Sequence, residues 1–201
     1  MKRLLALPVC LGLLLLAALP AGADSGTGPP PNPTCHPAFG PGIPSTGPCT
    51  ETDHFSQLAF PISPTPGCGP QTFAFLTANG NGVQHVTVNS AGDSWFTTTF
   101  TGDAVISTLV VSGSPPNLTF SAGTPLFSGH LTAWFGGEFN KSNYVLHDTA
   151  TFQGTELSTG QSFHLHFVDH ASSVPPNDIP SGPPNVFPPS NATTFFMKVV
   201  C

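Results

Sequence analysis

His130-Leu-Thr-Ala-Trp-Phe-Gly-Gly-Glu-Phe139 is followed by Tyr144-Val-Leu-His-Asp-Thr-Ala-Thr-Phe-Gln-Gly154 and by Ser162-Phe-His-Leu-His-Phe-Val-Asp-His170. Apolar and polar residues alternate in all three, the period-two signature of a strand with one buried face. Leu131, Ala133, Phe135 and Phe139 oppose His130, Thr132, Trp134 and Glu138. Tyr144, Leu146, Ala150 and Phe152 oppose Val145, His147, Thr149, Thr151 and Gln153. Phe163, Leu165 and Phe167 oppose His164, His166, Val168 and His170. Register and facing are locked together, so aligning the apolar faces of this meander also gathers the polar ones. The expected product is a sheet surface rich in His and Thr with one Trp. Pairing Phe152 with Phe163 sets Thr151 beside His164 and Thr149 beside His166.

Outward from this meander, similar runs occur at 55–60, 71–77, 83–89, 94–101, 104–112 and 193–200. Asn79-Gly80-Asn81-Gly82 and Ala91-Gly92-Asp93 read as hairpin turns. No helical periodicity appears beyond the first twenty residues. About eight or nine short strands at this spacing predict an all-β domain, a single antiparallel barrel or sandwich.

The N-terminus carries Lys2 and Arg3, then an apolar run from Leu4 to Leu19, then Ala21-Gly22-Ala23. This is the pattern of a signal peptide cleaved after Ala23, and the run is short for a transmembrane helix. The expectation is a secreted protein with no membrane span in the mature chain. Losing Lys2 and Arg3 changes the formal charge from −6 to −8 and leaves Lys141 and Lys198 as the only basic residues besides histidine. Binding to phosphate backbones or to anionic membrane surfaces needs several Arg or Lys contacts, so nucleic acid is excluded as a partner.

Residues 24–50 form a Pro/Gly-rich arm ahead of a β domain at 51–201, and a second Pro-rich stretch lies between Val174 and Ser190. Such segments cannot donate a regular hydrogen-bond ladder. Cys35, Cys49, Cys68 and Cys201 remain after signal removal. An even count in an exported chain reads as two disulfides. Cys35–Cys49 as a local loop and Cys68–Cys201 as a clasp on the last strand is the favoured pairing among three.

The Gly129-His-Leu-Thr-Ala-Trp-Phe-Gly-Gly137 segment, the Thr/Phe strand after it and the closing Cys201 resemble secreted β-rich proteins of high-GC Gram-positive bacteria. That resemblance implies a compartment and a fold class but no activity.

Three constellations carry possible chemistry. His164 and His166 point the same way from one strand, and neutral imidazole is the commonest transition-metal ligand. His130 or His147 from a neighbouring strand would complete an open zinc or copper site. His170 shares the parity but lies ~13 Å beyond His166 along an extended strand. Ser162-Phe163-His164-Leu165-His166 is superficially similar to a strand of copper–zinc superoxide dismutases, yet the further histidines and the channel arginine of that family are missing. The Glu and later His of a cupin are missing too.

Asp148 and Asp169 fall on the apolar faces of their strands, and a register shift of one pair would set them opposite each other. Close carboxylates push one pKa up, as in acid–base hydrolases, or hold calcium. Two solvated residues at a sheet edge would give the same pattern. Trp134 falls on the polar face, where it could stack on a ligand. No nucleophile elbow, phosphate loop or dinucleotide fingerprint occurs. The expectation is therefore a non-catalytic binding or structural protein with an extracellular partner or small ligand and no cofactor. A metal protein built on the histidines and a barrel binding a small ligand in its lumen are the alternatives.

Overall fold

The computed structural model describes residues 34–36, 45–63, 69–115, 117–140, 143–173 and 192–201. The expected signal peptide, most of the Pro-rich arm, Cys68 and the Pro-rich stretch before the last strand lie outside the described residues.

One antiparallel sheet of seven strands runs in chain order: β1 (Cys49–Ile62), β2 (Ala74–Val88), β3 (Ser94–Ser114), β4 (Asn117–Phe139), β5 (Tyr144–Glu156), β6 (Ser162–Ser173) and β7 (Ala192–Val200). The all-β, antiparallel expectation holds. The sheet is a curled meander with β1 and β7 at its ends, not a closed barrel. Seven long strands replace the expected eight or nine short ones among the described residues, because two predicted breaks are not breaks. Asn79-Gly80-Asn81-Gly82 is no hairpin turn but the middle of β2, paired throughout with β3.

These glycines serve close packing rather than chain reversal. A Cβ on Gly80 would collide with the Thr101 carbonyl oxygen and the Gly102 Cα, and one on Gly82 with the Phe55 ring. Phe55 and Phe100 stack at 5.9 Å over that bare position, from the strands on either side. Gly154 plays the part of Gly80 in β5, where a Cβ would collide with the Ser128 carbonyl oxygen and the Gly129 Cα of β4. Strand glycines of this kind allow sharp bends and close backbone approach. Ala91-Gly92-Asp93, in contrast, is the β2–β3 turn: Gly92 has φ +86°, and the Asn89 side-chain oxygen accepts from Ala91 N and Asp93 N at 2.8 and 2.9 Å.

The alternating apolar residues converge on one face. Phe55, Leu58, Phe60, Ile62, Leu76 and Phe100 pack there with Ile106, Phe127, Leu131, Phe135 and Phe152. β1 keeps its apolar residues on this face across a bulge between Phe55 and Gln57. The β3–β4 register shifts near Ser107, opposite Pro125, a residue with no N–H for the ladder. A smaller cluster joins Val86, Val88, Phe96 and the Cys35–Cys49 disulfide, whose Cα atoms are 5.8 Å apart. Cys201 is also disulfide-bonded. Its expected partner, Cys68, lies outside the described residues.

Candidate functional site

β5 and β6 are joined by a tight turn in which Gly160 takes φ +72° and the Glu156 carboxylate accepts from Ser158 and Thr159 hydroxyls at 3.2 and 2.7 Å. This turn sets the register. Phe152 pairs with Leu165 rather than Phe163, one pair away from the simplest alignment of the apolar faces. Thr151 therefore stands beside His166 and Gln153 beside His164.

The same register places Asp148 opposite Asp169 and His147 opposite His170. Neighbouring residues on a strand face opposite ways, so the acids lie on the core face and the imidazoles on the outer face.

Asp148 and Asp169 are 8% and 2% exposed. They belong to a cross-strand row with Asp53, Gln84, Thr98 and Phe135, at the margin of the large apolar cluster, which includes Phe135. Burial, and then the facing Asp169, pushes Asp148 up to about 8. Burial likewise raises Asp169, to about 6. Among the described residues only the facing Asp148 acts on the Asp169 carboxyl as a hydrogen-bond partner. A proton held between the two carboxyls is what reconciles them with burial, since two adjacent carboxylates cannot both ionise cheaply there. Further along the row, Asp53 is raised mainly by burial and then by Glu51.

On the outer face, the Nδ1 atoms of His147 and His170 lie 2.9 Å apart, with ring centroids 4.4 Å apart. Partial burial and the His170 imidazole lower the His147 pKa, against an opposing pull from Glu138. Gly136 is the β4 partner of His147, and the Trp134 ring lies over that glycine. Trp134 is thus half-buried against its own strand rather than freely displayed. Trp95, opposite Glu138, is the more exposed indole.

The other expected ligands are not brought together. His130 and His164 flank Gln153 two strands apart, about 10 Å at ordinary strand spacing. His130 shares a hydrogen bond with Thr101 Oγ1 at 3.0 Å, and His166 shares one with Thr151 Oγ1 at 2.9 Å. His147 turns to His170 instead. Among the described residues, no group of three or more His, Cys, Asp or Glu side chains is placed to hold a metal ion. Convergence of His164 and His166 with His130 or His147 is thus not found.

A cavity of about 250 Å³ opens beside Pro70, Gln71, Pro125, Leu126, Phe127 and Glu156. It lies below the ordinary range for small-molecule pockets. Among the described residues no helix is long and apolar enough to cross a membrane.

Sequence reasoning placed a strand at 104–112 but overlooked the first half of β4, at 117–129. The β2 ladder stops at Ala74–Thr108 and the β5 ladder at Glu156–Phe127, but β3 and β4 continue to Ser114 and Asn117. Residues 109–114 and 117–122 thus form a two-stranded arm outside both neighbouring ladders. Val111 pairs with Phe120 and Gly113 with Leu118, which gives the arm one apolar face. Val111 is 50% and Phe120 48% exposed. Alternation at 118–122 was the available signal, but Pro115, Pro116 and Pro125 broke the pattern.

Comparison with known protein families, curated proteins and solved structures gave no match.

Proposed function

We propose that this is an exported, non-catalytic binding protein that engages a protein partner through the β3–β4 arm. The carrying observation is the arm itself: an amphipathic ribbon whose apolar residues Val111, Leu118 and Phe120 face solvent. A two-stranded ribbon on its own is marginal in water, and a contiguous exposed apolar patch marks an interaction surface. Among the described residues no strand pairs with either long edge of the arm, and such edges can take an added strand. The N-terminal signal pattern and the disulfide agree with an oxidising compartment outside the cell. Lumenal ligand binding has less support, because the sheet is open and its curled face is filled by Phe, Leu and Ile side chains.

A photo-reactive benzophenone residue placed at Val111 in the producing culture tests this reading. A discrete protein adduct is expected from Val111 and not from the exposed turn position Ser158. No adduct at Val111, or identical adducts from both positions, would contradict it.

A further inference from the structure

We infer that His147 and His170 form a surface site for a divalent transition-metal ion of the copper(II) class, bound through both Nδ1 atoms. The inference is independent of the arm and uses a pair of imidazoles from two adjacent strands. Its basis is the separation of the two nitrogens, 2.9 Å. Two ligand nitrogens about 2.0 Å from one ion are ~2.8 Å apart at a right angle and ~3.3 Å apart at a tetrahedral angle. The observed spacing therefore fits neighbouring corners of a tetragonal ion better than a tetrahedral zinc site.

Several features hold the pair ready. Direct register across β5 and β6 fixes both Cα positions, so little backbone entropy is lost on binding. The χ2 torsion of histidine is broad, so a small rotation of each ring turns its Nδ1 lone pair from the facing nitrogen toward a common ion. The Trp134 ring lies over Gly136, directly across from His147 on β4, and walls that flank of the pair. Glu138, two residues on and on the same face, lies near enough to act on His147 and brings a carboxylate to the site's edge. Solvent can fill the remaining corners, because the imidazoles lie on the outer face. Among divalent first-row ions, copper(II) binds such nitrogen donors most tightly.

Copper(II) titration of the tag-free, chelator-treated full protein tests the site, read by electron paramagnetic resonance and tryptophan fluorescence. One equivalent should give a tetragonal signal with nitrogen hyperfine structure and quench Trp134, whose ring is close by over Gly136. Either His147→Gln or His170→Gln should weaken binding at least about tenfold, since even outer-shell partners of a metal are worth that much. His164→Gln and His166→Gln should leave it unchanged. Thermal melts of all four variants separate loss of the site from loss of the fold. Undiminished binding in folded His147→Gln and His170→Gln variants, or loss only in the His164 and His166 variants, would overturn the inference.

Discussion

Asp148 and Asp169 stand opposite each other across β5 and β6 on the core face, nearly sealed from water. Each is preceded or followed by a histidine that meets its own partner on the reverse side of the sheet, so His147-Asp148 and Asp169-His170 pair as an antiparallel palindrome. The strand pair thus carries a carboxyl pair inside and an imidazole pair outside.

The carboxyl pair makes stability pH-dependent in a defined direction. Both folded-state pKa values lie above the ordinary 3.8, at about 8 for Asp148 and about 6 for Asp169. The folded state therefore holds more protons than the unfolded chain between these limits. Stability from the pair is fully present below pH ~4 and is lost as pH rises through 6 and then 8. Melting temperature in metal-free protein should fall from pH 5 to pH 8.5. Asp148→Asn should flatten this slope and melt above the parent at pH 8.5. A parent melting curve that rises over this range would contradict the shared proton.

Gly80 distinguishes a strand interior from a turn. Gly80→Ala forces a methyl group into the Thr101–Gly102 backbone and should cost about 1–3 kcal/mol or more, as overpacking does. Asn81→Ala, exposed on the opposite face, should stay within about 0.5 kcal/mol. Denaturant unfolding of both variants checks the ranking, and equal costs would favour a turn.

The Cys35–Cys49 bridge closes a short loop onto Val86 and Val88. Replacing both cysteines by alanine should lower unfolding free energy by about 2–4 kcal/mol, measured by urea denaturation. An unchanged midpoint would mean that the loop adds nothing to the sheet.

The two faces of β3 should respond differently to truncation. Phe100→Ala removes a fully buried ring stacked on Phe55 and should cost about 3–5 kcal/mol. Val111→Ser, on the arm, should change stability by no more than about 0.5 kcal/mol. A large stability loss from Val111→Ser would make the arm part of the core.

The facing of β4, β5 and β6 was legible in the sequence because each strand has one buried face and period-two alternation records it. Register was not, since alternation fixes parity but leaves several same-parity partners open. The β5–β6 turn chooses among them, and its Glu156 and Gly160 geometry is not an alternation signal. Measuring His170 along its own strand from His166 hid its true neighbour, which lies across the ladder. The palindrome of His147-Asp148 and Asp169-His170 was the cue. Asn79-Gly80-Asn81-Gly82 misled for a different reason: glycines that permit a tight turn and glycines that permit close strand packing look the same in a sequence. Cys35–Cys49 was legible because the loop is short and local.

The most direct test of the account is a carbon-13 NMR titration of the Asp148 and Asp169 side-chain carboxyl carbons in metal-free protein between pH 3 and pH 10. Two linked steps are expected, near 6 and near 8, with each carboxyl reporting both, and a single step remaining in Asp148→Asn. Both carboxyls titrating independently near 4 would show that they are solvated and apart, and would contradict the paired core-face arrangement.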